Sequence, residues 1–270
     1  MALLERCQAS LLRSAALNHS IIQTALVLSD DNDFYEPPFW YWTVEDGDEV
    51  LGAAIYAAPD GLVLSEMPTK ALPMLCEALI GRIPVPMRVM GGSGVAEAFV
   101  AYLAKQARLS PMLSNSWHVG RLCSVVQPKP LAPGKLRQAD SSNSELVRSW
   151  GAEYGKEKLS FLDVAEFMGK KLKRGDLYLW EDGDPITMMT ISGRSDNGAR
   201  ISSVFTPPRH RGLGYASSAI ATMSQSLLEC GHGFVILTWR IGDPAGRIYE
   251  RLGFRRVGIQ KSYVNRKQDS

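Results

Sequence analysis

The amino-acid sequence predicts an α/β protein of the α+β type that contains two similar units. Short apolar runs typical of strands alternate with segments whose apolar residues recur at the helical period. A strand, an acidic turn and a second strand occur twice, around residues 42–48 and around residues 179–184. A proline-rich segment lies between the two copies. We therefore expect an internal duplication, with the chain divided at the prolines.

The composition is that of an ordinary globular protein. The chain has 270 residues, of which 45% are hydrophobic and 21% are charged, enough for one large domain or two of usual size. A formal net charge of +2 gives no reason to expect nucleic acid or an acidic membrane as a partner. The four cysteines and four histidines are scattered, without the close spacing of a zinc site. We expect no metal site and a reducing, cytoplasmic setting.

The first part of the chain predicts one α/β unit. Polar residues interrupt the apolar residues before Leu28, which favours an amphipathic helical region over a signal peptide, and no run reaches transmembrane length. A glycine-rich turn at residues 91–94 precedes a helix, but no arginine or lysine lies in it, so we interpret it as a loop. The expected strands cover residues 39–44, 50–56 and 62–65, and the expected helices cover residues 69–81 and 94–107.

Prolines mark the boundary between the two parts. Pro128, Pro130 and Pro133 lie close together, and proline fits neither a helix interior nor a central strand. We therefore expect residues 128–134 to be a semi-rigid linker. It separates a first domain, residues 1–127, from a second, residues 135–270.

The second part repeats the alternation of helices and strands. Asn197-Gly198 is typical of a hairpin turn. One expected helix carries Glu145, Trp150, Glu153 and Tyr154, and a second covers about residues 161–173. The expected strands cover residues 176–180, 186–192 and 199–206.

A basic, glycine-bearing turn runs from Arg209 to Gly214, between the last of these strands and an amphipathic helix that Gly231 is expected to end. The N-terminus of a helix exposes unpaired N–H groups and partial positive charge. Gly212 and Gly214 would let an anion approach the backbone, and the arginines add full charge. The turn therefore predicts a phosphate or pyrophosphate site. The alternative is a tight turn whose arginines serve solubility.

Two common nucleotide motifs do not fit this turn. The P-loop requires Gly-Lys-Ser/Thr, whereas Gly214 is followed by Tyr215 and Ala216. The dinucleotide fingerprint requires a third glycine at the position that Ser217 occupies.

A second motif follows an apolar strand expected at residues 234–239. Asp243 suits a helix N-cap and Pro244 suits the first helical position. Tyr249 lies on the apolar face of this short helix, and Gly253 is expected to end it.

These two motifs resemble the signatures of the GNAT superfamily of N-acetyltransferases. Residues 204–217 resemble its acyl-CoA pyrophosphate signature, Arg/Gln-x-x-Gly-x-Gly/Ala, and residues 243–254 resemble Asn-Pro-x-x-x-x-x-Tyr-x-x-x-Gly-Phe/Tyr. The resemblance is strong over about residues 135–260 and weak before them. The layout is similar to that of two-part GNAT proteins whose N-terminal half is a degenerate copy.

The resemblance implies two GNAT-like units, each a mixed, mostly antiparallel sheet flanked by helices, with acetyl-CoA as the acyl donor of the second. It implies an amine of a small molecule or peptide as acceptor, direct attack, Tyr249 as the acid that protonates the leaving thiolate, and no metal. The cofactor-binding residues it implies are Val204, Phe205, Thr206, Arg209, His210, Arg211, Gly212, Leu213, Gly214, Tyr215, Ala216 and Asp243.

The chain departs from the family pattern at the general base. The strand at residues 199–206 has no Glu or Asp, where the superfamily often places that base. Chemistry alone leaves Glu153, Tyr154, Asp196 and His210 as candidates. Asp243 also replaces the family's usual asparagine.

Two other hypotheses stay open, one from the missing base and one from an aromatic patch. A non-catalytic acyl-CoA-binding regulatory protein is the alternative function. The aromatic patch at residues 34–40 suggests that the first part supplies an acceptor site or a dimer surface. The sequence predicts neither the acceptor nor the oligomeric state.

Overall fold

The computed structural model describes residues 2–29, 35–58, 60–84, 88–107, 109–158, 163–195 and 197–267. Contacts divide the chain into two compact units. Unit 1 comprises residues 1–120, 238–243 and 256–270, and unit 2 comprises residues 121–237 and 244–255. The boundaries expected from the prolines concern separately folding domains and stay a prediction.

Helices and strands alternate in the described ranges, as predicted. The helices are α1 (Ala2–Arg13), α2 (His19–Ser29), α3 (Leu72–Leu79), α4 (Ser93–Ala107), α5 (Ser144–Lys158), α6 (Val164–Lys173), α7 (Tyr215–Glu229) and α8 (Gly246–Arg251). The strands are β1 (Glu36–Asp46), β2 (Glu49–Ala58), β3 (Gly61–Leu64), β4 (Arg88–Gly92), β5 (Leu109–Leu122), β6 (Lys135–Gln138), β7 (Leu177–Asp182), β8 (Asp184–Ser195), β9 (Gly198–Phe205), β10 (Phe234–Arg240) and β11 (Arg255–Lys267).

Unit 1 contains a mixed sheet with the strand order β1-β2-β3-β4-β11-β5. The pairs β1–β2, β2–β3 and β4–β11 are antiparallel, and β3–β4 is parallel. Alternate residues of β2 enter two different cores: Ala53 and Ile55 pack with residues of α1 and α2, whereas Ala54 and Tyr56 pack with residues of α3 and α4. Burial on both faces explains the nearly continuous apolar run in this strand.

The strands of unit 2 follow the order β10-β9-β8-β7-β6. Only the β9–β10 pair is parallel among the pairs in this order. Trp150 of α5 and Met168 of α6 pack with Leu179 and Phe205 on one face, and α7 buries Ile220 among its apolar residues. Both units therefore have the predicted architecture of a mostly antiparallel sheet flanked by helices.

The order of elements repeats along the chain. Helices α1 and α2 precede the antiparallel strands β1–β3, then α3, β4, α4 and β5. Helices α5 and α6 precede β7–β9, then α7, β10, α8 and β11. In each copy the first hairpin has a glycine with a left-handed backbone, at Gly47 (φ 59°) and Gly183 (φ 74°). The repeated order agrees with the expected duplication, which itself stays a prediction.

Two glycine predictions are wrong. Residues 91–94 are not a loop, because β4 ends at Gly92 and α4 begins at Ser93; Leu64 and Glu66 occupy the space that Cβ atoms on Gly91 and Gly92 would need. Gly198 is not in the hairpin turn but begins β9, opposite Ser195. A Cβ there would collide with the ring of Phe234, so glycine is required for close approach.

No helix in the described ranges is long and apolar enough to cross a membrane. Those ranges also hold no group of three or more His, Cys, Asp or Glu side chains placed to bind a metal ion. All four cysteines are free, with Cys7 and Cys76 buried and Cys123 and Cys230 exposed.

Candidate functional site

The glycine-bearing turn joins β9 to α7 as predicted. A 3₁₀ turn at Pro208–His210 leads into it, and α7 begins at Tyr215. Gly212 has φ 79° and Gly214 has φ 85°, a left-handed conformation that strongly favours glycine. No heavy atom lies within 4 Å of a Cβ built on Gly212. Backbone conformation, rather than crowding, therefore requires glycine at position 212.

Six consecutive backbone N–H groups, from Gly212 to Ser217, donate no hydrogen bond within the described residues. The first bonded N–H of the helix is that of Ser218, which donates to the Gly214 carbonyl at 3.0 Å. The residues of the turn are exposed from Arg211 to Gly214. The arrangement is an open donor surface at a helix N-terminus, where the macrodipole favours an anion.

The charged side chains of the turn already have partners. Arg209 Nε donates to His210 Nε2 at 2.9 Å. Arg211 Nε donates to the Thr206 carbonyl at 2.7 Å, and its Nη2 donates to Glu157 Oε1 at 2.6 Å. The predicted anion site thus contains an ion pair with a carboxylate that sequence reasoning missed.

Two further predicted residues, Leu213 and Tyr215, flank the turn. Leu213 is 61% exposed. The Tyr215 hydroxyl donates to Asp182 Oδ2 at 2.9 Å, and this hydrogen bond raises the pKa of Tyr215. Ala216, the next residue of α7, is half-buried. The side chain of Tyr215 therefore links the start of α7 to the β7–β8 turn.

Strand β9 carries the predicted residues Val204 and Phe205, and Thr206 follows it. Its ladder with β10 covers only Gly198–Arg200, so the remaining residues have no partner in that ladder. An extra residue in β9 lies between the pairs Thr190–Ser202 and Met188–Phe205. Ser203 at this bulge has φ 51°, which turns the strand locally. Beyond Arg200, the edge of β9 is therefore not paired with β10.

The ring of Phe205 is buried and packs against α5. The residue is 2% exposed, and its ring lies 6.1 Å from that of Trp150 and 6.2 Å from that of Tyr154, both edge-on. The Thr206 hydroxyl is within 2.8 Å of that of Thr187. Helix α5 is thereby fixed against the end of β9.

Tyr249 lies in α8, as predicted, half-buried and with its ring 6.4 Å from that of Phe254. Gly253, with φ 103°, follows the helix as expected. The predicted N-cap is wrong: Ala245 occupies that position, and α8 begins at Gly246. The N–H groups of Arg247 and Ile248 bond three residues back, to Pro244 and Ala245, so a tight turn replaces the first helical turn.

Asp243 is therefore not the cap, and it belongs to the segment of unit 1 that ends there. Its N–H donates to the Arg240 carbonyl at 3.0 Å. Its expected role in cofactor binding stays a prediction.

The chain is similar to a known family model and, in fold, to solved acetyltransferases. Residues 180–264 match the family model described as FR47-like protein, and no curated protein matches the chain in sequence. A GCN5-related N-acetyltransferase from Kribbella flavida is 17% identical, with a TM-score of 0.57 over 80% of this chain and 86% of that one. A GNAT-family acetyltransferase from Colwellia psychrerythraea is 11% identical, with a TM-score of 0.52 over 84% and 85%.

A protein from Drosophila melanogaster is 9% identical, with a TM-score of 0.65 over 92% of this chain and 89% of that one. The chain has the GNAT fold. Because the likeness extends over most of the chain at low identity, it establishes the architecture, and the reaction has to be argued from the site itself.

Within this GNAT fold, the candidate bases occupy different positions. Glu153 is exposed on α5, and Tyr154 packs on Phe205. His210 Nε2 accepts a hydrogen bond from Arg209 Nε at 2.9 Å, so the lone pair of that nitrogen is engaged. Asp196 lies outside the described residues, as does Phe34 of the aromatic patch. No candidate is singled out by its contacts.

Glu157 is the side chain beside the turn that sequence reasoning missed. It follows Trp150 and Tyr154 at seven and three residues, the spacing of one helical face. Those two aromatic residues pack on Phe205 at the end of β9, a contact that only the structure shows, and the spacing then puts Glu157 near the turn.

A second charged cluster lies at the other end of the β8–β9 hairpin. Lys171 Nζ lies 3.3 Å from both Asp176 Oδ2 and the Ile191 carbonyl, and Arg194 Nη1 donates to Asp176 Oδ1 at 2.9 Å. Burial lowers the pKa of Lys171, against the attraction of Asp176. Because three bonds anchor the start of β7 and the end of β8, we interpret this cluster as structural.

Proposed function

We propose that unit 2 binds an acyl-CoA, with acetyl-CoA as the expected donor, and transfers the acyl group to an amine of a small molecule or peptide. The observation that carries this proposal is the run of six open N–H groups from Gly212 to Ser217. Together with Arg209 and Arg211, they form a donor surface of the kind that holds a pyrophosphate.

The pantetheine arm has an edge to bind. Beyond Arg200 the β9–β10 ladder ends, which leaves backbone groups of β9 for the amides of the arm to pair with, as an added strand does. The bulge at Ser203 would adjust which carbonyl and N–H face the arm. Val204, Phe205 and Thr206 would then contact the cofactor through their backbone.

The chemistry requires a neutral amine and an acid for the leaving group. The amine attacks the thioester carbonyl, and the tetrahedral intermediate expels the CoA thiolate. We assign Tyr249 to protonate that sulfur, because a phenol keeps its proton at neutral pH. Since β9 offers no carboxylate, the amine would lose its proton to water or arrive neutral.

The free cysteines support a reducing, cytoplasmic setting.

One observation favours an alternative, a regulatory protein that binds acyl-CoA without turnover. No residue of β9 is acidic, so the strand lacks the base that acyl transfer to a protonated amine requires. Such a protein would bind acetyl-CoA equally well but release no CoA when amines are added.

Replacing Tyr249 with Phe tests the assignment. We expect the release of free CoA from acetyl-CoA, measured as thiol against a panel of primary amines, to fall by roughly 10²-fold or more, the scale of general acid catalysis. CoA affinity should stay the same, because the hydroxyl acts only on the sulfur. Tyr178→Phe, in β7 and bonded to Arg194, is the matched control.

Two outcomes would contradict the assignment. Full turnover in Tyr249→Phe would remove Tyr249 from the reaction while leaving acyl transfer intact. No thiol release by the unmodified protein, despite acetyl-CoA binding, would favour the regulatory alternative.

A further inference from the structure

Arg211 is directed toward α5 and the end of β9 by three contacts. Its Nε donates to the Thr206 carbonyl at 2.7 Å, its Nη2 donates to Glu157 Oε1 at 2.6 Å, and its guanidinium carbon lies 5.7 Å from the centre of the Phe205 ring. All three partners come earlier in the chain than the six open N–H groups. The guanidinium that was expected to bind phosphate is thus engaged by a carboxylate.

The position of Glu157 is determined by packing. The rings of Trp150 and Tyr154 lie against Phe205 and hold α5 at the end of β9. Glu157 lies on the same face, close to the C-terminus of the helix. A negative charge there is unfavourable for the helix dipole, so its interaction with Arg211 compensates a local cost.

The ion pair can be broken by a competing anion. The two side chains are 46% and 39% exposed, and exposed pairs contribute only about 0–1 kcal/mol. A phosphate accepts the same forked hydrogen bonds from a guanidinium as a carboxylate does and carries more charge. Arg211 adjoins Gly212, the first residue with an open N–H, so it needs only a change of side-chain rotamer to reach an anion bound there.

We propose that Glu157 is a built-in competitor for the cofactor's phosphates: Arg211 exchanges the Glu157 carboxylate for a phosphate oxygen when CoA binds. The proposal rests on the proposed function, since it concerns the same site. Glu157 thereby sets the CoA affinity of the free protein. The exchange also releases a carboxylate at the end of α5, next to β9, only when CoA is present.

The test is the Kd for CoA, measured by calorimetry on the full-length protein. Glu157→Gln removes the competing charge with almost no change in shape, and we expect it to tighten CoA binding by about threefold to fivefold. Glu145→Gln, near the start of the same helix and exposed, is the matched control for general charge effects. It should change the Kd by less than about 1.5-fold.

A second background isolates the pair. In Arg211→Gln, CoA should bind more weakly, and adding Glu157→Gln should no longer tighten it, because the residue that was competed for is absent. Melting temperatures check that each variant is folded.

Other results would overturn the inference. Equal tightening by Glu157→Gln and Glu145→Gln would reduce the effect to net charge. Weaker binding by Glu157→Gln would mean that the ion pair shapes the turn for CoA rather than competing with it. Failure of the unmodified protein and all variants to bind CoA would overturn the proposed function as well, whereas the other two results would leave it intact.

Discussion

At the scale of single residues, Glu66 in unit 1 has an unusual environment for a carboxylate. It follows β3, its N–H donates to Asn18 Oδ1 at 2.7 Å, and its carboxylate lies against the backbone of Gly92. Oε1 is buried and has no hydrogen-bond partner in the described part of the chain. Burial raises the pKa of Glu66. Folding therefore shifts Glu66 toward its protonated form relative to the unfolded chain, because burial penalises the charged carboxylate.

Glu66 should make stability depend on pH. Because its pKa is higher in the folded than in the unfolded chain, its contribution is most favourable at acidic pH and is lost as the pH rises through the folded pKa. We expect Glu66→Gln to raise the Tm more at pH 7 than at pH 4, by on the order of 2 °C. The exposed Glu5→Gln is the control. Parallel Tm profiles of Glu66→Gln and the unmodified protein would contradict this expectation.

At the scale of secondary structure, the bulge in β9 lies beside the proposed binding edge. Ser203 has φ 51°, and a residue with a Cβ pays about 1–2 kcal/mol for this left-handed conformation. The surrounding ladder to β8 holds it there, with the register advancing by three residues on β9 for two on β8. The strained residue is next to Val204, where the pantetheine arm is proposed to bind.

Two substitutions at Ser203 should change the free energy of unfolding in opposite directions. Ser203→Gly relieves the strain, so we expect unchanged or higher stability, partly offset by the greater entropy of the unfolded chain. Ser203→Val puts a β-branched residue at positive φ, and we expect it to lower the free energy of unfolding by about 1–2 kcal/mol and to weaken CoA binding. Urea unfolding measures the stability of both variants, and calorimetric titration measures their affinity for CoA. Equal midpoints for the two variants would show that the bulge relaxes without cost.

The elements differ in how far the sequence predicts them. Helix α7 and its glycine turn are set by local patterns, namely a helical period and two positions that need positive φ, so they were predicted correctly. The bulge was not predicted, because serine carries no local signal for positive φ. The predicted start of α8 was wrong, because Asp243 and Pro244 suit the turn that precedes the helix as well as they suit a helix start. Glu157 was missed because its partner is 54 residues away.

At the scale of the whole molecule, unit 1 is assembled from both ends of the chain. Strand β11 pairs antiparallel with β4, with Gln260 opposite Gly92, and Gln260 Nε2 donates to Ser20 Oγ at 2.9 Å. The repeated order of elements could be predicted from the two acidic hairpins. The choice of β4 as the neighbour of β11 could not, because strand pairing over this distance depends on packing of the complete core. Removing residues 1–127 would also remove β4, so binding should be measured on the full-length protein.

The central claim is that the turn before α7 binds the pyrophosphate of an acyl-CoA. The most direct measurement is calorimetric titration of acetyl-CoA into the unmodified protein, Gly212→Gln and Gly212→Glu, with ATP as a control ligand. The two variants share the strain of a side chain at φ 79° and differ only in charge. We predict micromolar binding of acetyl-CoA, a moderate loss in Gly212→Gln, no detectable binding in Gly212→Glu, and little binding of ATP. Absence of acetyl-CoA binding to the folded, unmodified protein, or equal affinity in all three, would contradict the claim.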